Sequence, residues 1–267
     1  MILRSEGAAL FLGAALLGGV GGSLRFIFAD VSWASFFDSL LGVWIFSALG
    51  TALRIALQDF AVSRHRHLRI GMLAANLIGT AALAYAMEHA DSVIAGVAFT
   101  TGFCGGLTTF SGFVAETIAL DHHKRHVRAA LFVLATLGLS IEVFHLLHKS
   151  STAPFPWRTM MVNLSGCFAF GIIDKAVAPL ARRSELHRLL LAGLLGGYTT
   201  LSTLVAETMA LSINAPAVAV ANVLIQVVVG AFLIGFGRSI GELIATAQSR
   251  KNVAPNTAEG ARGETVR

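Results

Sequence analysis

The chain has 267 residues, 55% hydrophobic and only 13% charged, with 20 Lys and Arg against 15 Asp and Glu. A soluble domain carries roughly a quarter of its residues as charges, so this composition excludes an ordinary soluble domain and a disordered chain. It points to a polytopic membrane protein, in which excess Lys and Arg marks one side of the bilayer rather than a nucleic-acid partner.

Apolar runs of about 20 residues predict eight transmembrane helices, at 8–28, 37–57, 69–88, 92–119, 127–148, 158–179, 188–211 and 216–238. Glu6, beside Arg4, argues that the first is a span and not a cleaved leader. Basic residues fall in alternate loops. Arg64, Arg66 and Arg69 follow the second span; Lys124, Arg125 and Arg128 follow the fourth; Lys175, Arg182, Arg183 and Arg188 follow the sixth. Arg238, Arg250, Lys251, Arg262 and Arg267 follow the eighth, whereas the intervening loops hold only Lys149 and Arg158. The positive-inside rule then places the N and C termini in the cytoplasm. His65, His67, His122, His123 and His126 sit among these arginines and read as a solvated basic loop. Residues 1–248 form a single membrane domain, and the polar stretch 249–267 reads as a disordered cytoplasmic tail. Cys104 and Cys167 lie in apolar segments and read as small packing residues.

The spans repeat. Asn76-Leu77-Ile78-Gly79 in span three is echoed by Asn163-Leu164-Ser165-Gly166 in span six. The stretch TTGFCGGLTTFSGFVAE (100–116) in span four is echoed by AGLLGGYTTLSTLVAE (192–207) in span seven. Gly18, Gly21 and Arg25 in span one match Ser47, Gly50 and Arg54 in span two. The repeat unit is therefore four helices. Unit one is 37–148, and unit two is 8–28 plus 158–238, its first helix displaced to the N-terminus. Corresponding spans cross in opposite directions, so the units are inverted, an arrangement that puts a transport site near the midplane between repeats.

No span has a carboxylate or lysine near its centre; Glu116, Glu207 and Glu142 lie toward helix ends. What the spans offer are neutral donors: Asn76 and Asn163, and the hydroxyls of Thr108, Thr109, Ser111, Thr199, Thr200, Ser202 and Thr203. Such donors suit an anion that must be desolvated yet released quickly. Phe110 and Phe113 share a helix face and could turn ring edges to an anion, or simply pack. Arg25 and Arg54, near opposite membrane faces, either give each vestibule a cation or snorkel. Gly102, Gly105, Gly106, Gly193, Gly196 and Gly197 either weaken the helix and free carbonyls for a cation, or form a packing face. A proton-coupled small-molecule exporter would need an intramembrane acid, for which Glu142 is the candidate. A scaffold without transport would leave the repeated hydroxyls unexplained.

At these residues the chain resembles the fluoride channel family (Fluc/CrcB). The family segment G-x-x-G-G-x-T-T-F-S-T-F is matched from Gly102 to Phe113, with Gly112 in place of the last threonine, and again from Gly193 to Leu204. The Asn-x-x-Gly and Gly-x-x-x-Arg elements recur in both units, so the resemblance spans roughly residues 8–240. It implies a passive, non-enzymatic fluoride exporter of the cell membrane. It is similar to the fused eukaryotic FEX form, but permuted and without a linking helix, and is expected to work as a single chain in the bilayer. The resemblance further implies a structural Na+ held by backbone carbonyls of Gly105, Thr108, Gly196 and Thr199. It also implies pores past Asn76, Asn163, Phe110 and Phe113, flanked by the hydroxyls of Thr109, Ser111, Thr200 and Ser202. Leu201 and Leu204 depart from the pattern, so two unequal pores are expected.

Overall fold

In the computed structural model every regular element among the described residues is helical. It describes residues 5–28, 33–64, 70–89, 96–122, 125–148, 152, 154–177 and 183–263. The helices are α1 (Ser5–Phe26), α2 (Trp33–Arg64) and α3 (Ile70–His89). Next comes α4, in which π-wound Ala98–Cys104 passes into the turn Gly105–Leu107. After it come α5 (Phe110–His122), α6 (His126–Leu147) and α7 (Trp157–Ala176). A second compound helix, α8, joins Arg183–His187, π-wound Arg188–Leu195 and the turn Gly196–Tyr198. It is followed by α9 (Ser202–Ser212) and α10 (Pro216–Gly263).

Among the described residues, seven stretches have the length and apolar character to cross a membrane: α1, α2, α3, α4 with α5, α6, α8 with α9, and α10. The remaining expected span, α7, has 20 residues but carries Arg158, Asn163, Asp174 and Lys175, and is not among the seven. Two expected boundaries move. α2 runs on to Arg64, because Leu57 to Ser63 contains no glycine or proline to stop it. α10 runs 48 residues to Gly263, through most of the segment expected to be a disordered tail. Its stretch 242–251 is rich in Ala, Glu, Gln, Arg and Lys, all strong helix formers. The basic-loop residues Arg66, Arg69, Lys124, Arg182, His65, His67 and His123 lie outside the described residues.

Packing follows the repeat. Gly50 of α2 seats on the α4 backbone, where a Cβ would strike Phe103 O and stand 2.8 Å from Leu107 N. Gly21 of α1 seats on α8 in the same way, against Leu194 O and 2.8 Å from Tyr198 N. Thus α1 sits on the second compound helix as α2 sits on the first. α7 and α10 are zipped along Gly171, Gly237 and Gly241, where backbones touch because no side chain intervenes. At Gly138 of α6 and at Gly235 of α10, no atom comes within 4 Å of a built Cβ.

Candidate permeation site

Each copy of the glycine-threonine segment breaks at its Thr-Thr pair. Thr108 is extended (φ −92°, ψ 155°), and Thr199 matches it (φ −89°, ψ 153°). The glycines are not themselves the break: Gly105, Gly106, Gly196 and Gly197 are helical. They leave room for neighbours instead. A Cβ at Gly105 would collide with the Arg25 guanidinium, and one at Gly196 would lie 2.5 Å from Arg54 Nη2.

The break strands the amides of Thr109 and Thr200, just ahead of α5 and α9, and the asparagines take them. Thr109 N donates to Asn76 Oδ1 at 3.0 Å, and Thr200 N to Asn163 Oδ1 at 3.0 Å. Orphan amides at a helix start need such acceptors. The two breaks then interlock through hydroxyls. Thr108 Oγ1 meets Ser202 Oγ at 3.1 Å and Thr200 Oγ1 at 3.2 Å. Thr199 Oγ1 meets Ser111 Oγ at 3.0 Å and Thr109 Oγ1 at 3.1 Å. Ser111 and Ser202 thus tie one break to the other, and neither lines the cavities described below.

Arg25 and Arg54 are not exposed or snorkelling cations. They are 7% and 1% exposed, and each bonds carbonyls from both compound helices. Arg25 donates to Gly197 O at 2.9 Å and to Thr101 O. Arg54 donates to Gly106 O at 3.1 Å and Ala192 O at 2.7 Å. A buried guanidinium with several carbonyl partners fixes geometry, and removing it orphans every acceptor.

Two cavities flank this crossing. One, of ≈ 470 Å³, is reached by Arg25, Thr159, Thr200, Thr203, Phe144 and Glu207. The other, of ≈ 370 Å³, is reached by Arg54, Met72, Thr109, Gly112, Phe170 and Glu116. The repeat partners Arg25/Arg54, Thr200/Thr109 and Glu207/Glu116 occupy matching places. Glu207 Oε1 accepts from Thr159 Oγ1 at 2.7 Å. Glu142, the candidate acid of the exporter alternative, is exposed on α6 and lines neither cavity.

Phe110 and Phe113 are fully buried, with ring centroids 6.2 Å apart. They look in different directions. Phe113 meets Phe132 of α6 at 5.6 Å, while Phe110 covers Gly230 of α10, its ring 3.3 Å from a built Cβ. Leu201 and Leu204 are equally buried in the same core. Sequence reasoning missed four polar residues on the last helices: Thr136 and Ser140 on α6, and Asn222 and Gln226 on α10, all fully buried. Their signal was polarity at helical spacing, i and i+4, within apolar runs.

The family profile described as "CrcB-like protein, Camphor Resistance (CrcB)" matches the chain twice, over residues 41–148 and 143–238. α1 lies outside both matches. A "Fluoride-specific ion channel FluC 1" of Yersinia pseudotuberculosis is 36% identical over 113 residues, covering 40% of this chain and 88% of that protein. A "Fluoride-specific ion channel FluC" of Solidesulfovibrio magneticus is 35% identical, covering 42% and 87%. One from Serratia proteamaculans is 36% identical, covering 39% and 86%. No solved structure matches the chain. Two consecutive matches, the repeated asparagine-capped breaks and the span-length apolar helices lead to one conclusion: this multi-pass cell-membrane protein belongs to the CrcB-like family, with two family units fused in one chain.

Proposed function

We propose that the protein is a passive, fluoride-selective channel through which cytoplasmic fluoride leaves the cell. The observation that carries this reading is the pair of matched cavities meeting at an interlocked break whose polar groups are amides, hydroxyls and carbonyl-bound arginines. Neutral donors hold a small anion weakly enough for release. Fluoride enters cells as neutral HF from acid surroundings and is trapped as the anion, so a negative interior drives it out through any selective leak.

Four finer points belong to the same reading. Cytoplasmic termini follow from the basic loops, and the inverted pairing is supported by α1 seating on α8 as α2 seats on α4. A single chain suffices, because both crossed units are present in it. The pores are unequal, since Leu201 and Leu204 stand where unit one has phenylalanines. Finally, sodium, as a structural ion, would be held by carbonyls of Gly105, Thr108, Gly196 and Thr199. The extended threonines support this, as do the amides of Thr109 and Thr200, which turn to asparagine side chains rather than back to Gly105 O and Gly196 O. The guanidiniums beside Gly105 and Gly196 add like charge and oppose sodium there.

The deciding experiment is anion efflux from liposomes holding the purified protein. Fluoride is expected to leave much faster than chloride, without any proton gradient. Equal chloride efflux sinks the reading. Efflux that requires a proton gradient favours a proton-coupled exporter instead, with cavity-lining Glu116 and Glu207 as its acids. Phe110→Ile with Phe113→Ile is expected to slow fluoride, and an unchanged rate removes the aromatic contribution.

A further inference from the structure

We propose that His148 speeds fluoride passage in acid. It stands as a titratable cation at the mouth of the ≈ 470 Å³ cavity, the outward-opening one in the orientation proposed above. This rests on the channel reading and adds a regulating residue to it.

That mouth is built where helices end. Arg25 lies in the last turn of α1, Met87 near the end of α3, His148 just past α6, and Arg158 at the start of α7. His148 is held from three directions. Its backbone N–H donates to Phe144 O at 2.9 Å, which anchors it to the last turn of α6. Its ring stands edge-on to the Phe144 ring, with centroids 5.2 Å apart at 65°. Its Nδ1 lies 2.8 Å from Glu88 Oε1 of α3, yet the two groups are not aligned for a hydrogen bond. Such a contact gains chiefly from charge, and an imidazole carries charge only when protonated, a change histidine makes between about pH 5 and 8. The Glu88 side chain is 36% exposed, so protons reach the pair from the bath.

The repeat gives this position a counterpart. Counted from the starts of α6 and α10, His148 and Arg238 each stand twenty-third. Arg238 donates from Nε to Asp174 Oδ2 of α7 at 2.9 Å, joining α10 to α7 as His148 joins α6 to α3. Unit two fixes this corner with a permanent cation. Unit one fixes it with a cation that comes and goes.

The charge around His148 comes from every neighbouring element. Glu88 faces it from α3, Arg158 from α7, Arg25 from α1 and Glu207 from α9. His89, the next residue of α3, turns to Tyr85 O at 2.9 Å instead. Glu142 and His145 of α6 are exposed and lie outside the cavity lining. Among the described residues, two arginines thus meet two carboxylates at this mouth, and the formal balance turns on His148. A neutral ring leaves the mouth balanced, whereas a protonated ring gives it net positive charge, which concentrates anions there. Passage is therefore fast in acid and slows as pH rises through the imidazole range. Fluoride loads cells as HF from acid surroundings, so the route conducts best when the load is heaviest.

The test measures initial fluoride efflux from liposomes at about pH 5.5 and about pH 8, on either side of the imidazole midpoint. Both faces of the membrane are held at the same pH, and the rate from protein-free liposomes is subtracted to remove HF leakage. Wild-type, His148→Gln and His148→Arg proteins are compared, each first confirmed as a single folded species by size-exclusion chromatography. Wild type is expected to be about threefold faster in acid, on the order of what one charge contributes across water. His148→Arg is expected to keep the fast rate at both pH values, and His148→Gln the slow one. If His148→Gln fails to fold, His148→Asn replaces it with the same expectation. A pH dependence that survives in His148→Gln overturns the proposal and moves the sensor to another group, such as Glu207. Equal wild-type rates at the two pH values overturn it too, as does a His148→Arg protein that stays slow in both. Wild-type liposomes that release no fluoride at either pH defeat the channel reading itself.

Discussion

The α3–α6 pair and the α7–α10 pair are the same device built to two tolerances. Both carry an asparagine that caps a broken helix, at the same 3.0 Å. Around the second asparagine the polar atoms are paired: an amide relay from Asn163 through Gln226 to Asn222 uses them, and farther along the same helices glycines bring α7 and α10 into backbone contact. Around the first, three polar atoms, on Asn76, Thr136 and Ser140, are left without partners among the described residues. Doubling a unit lets the copies differ: the α7–α10 pair carries the glycine zipper and the amide relay, and the α3–α6 pair carries neither.

That difference can be broken at the zipped side first. Gly171→Leu drives a side chain into Ile234 O and Arg238 N, backbone atoms that cannot yield. Overpacking of this kind costs about 1–3 kcal/mol and sometimes more. The expected outcome is loss of a monodisperse protein, or a clearly lowered melting midpoint in detergent. Gly138→Ala, on the exposed outer face of α6, is expected to stay within about 0.5 kcal/mol of wild type, and an equal loss there would erase the contrast.

The crossing itself comes next. Arg54→Met leaves Gly106 O and Ala192 O without their guanidinium, at about 1–3 kcal/mol for each orphaned acceptor. Arg25→Met is expected to be similar, because both arginines bridge the same two compound helices. Thermal unfolding should drop for both variants. A drop in only one would mean that the crossing is not shared equally.

The smallest effect belongs to the ion pair between Asp59 of α2 and Arg188 of α8, whose side chains are 36% and 35% exposed. Asp59→Asn should cost well under about 1 kcal/mol, and less at high salt. A larger loss, seen in the same melting assay, would show that this edge is as much framework as the glycine zipper.

Much of this was legible in the sequence. Apolar windows located the helices, and the repeated Thr-Thr pairs marked where they break. The Gly-x-x-x-Arg echo between residues 18–25 and 47–54 marked α1 and α2 as copies of each other. The fate of the arginines was not legible, because their partners are backbone carbonyls as far as 172 residues away in the chain. Carbonyls carry no sequence signature. Gln226 was hidden for another reason. A glutamine in an apolar run reads as one polar residue, and only the facing Asn163 fixes which of its ends points inward. The role of the glycines stayed open between two readings, because weakness as a helix former and room for a neighbour look identical in a string of letters.

The displaced first helix has a consequence for how the protein is made. Arg25 enters the bilayer with α1, but its acceptor Gly197 O lies 172 residues downstream. At about 5–20 residues per second, synthesis leaves that guanidinium without its cross-unit carbonyl for on the order of ten to thirty seconds. During that wait α1 is held by α2, through bonds such as Ser47 Oγ to Gly18 O at 2.9 Å. The pair that emerges first from the ribosome is thus a clasp, and it closes only when the last third of the polypeptide arrives.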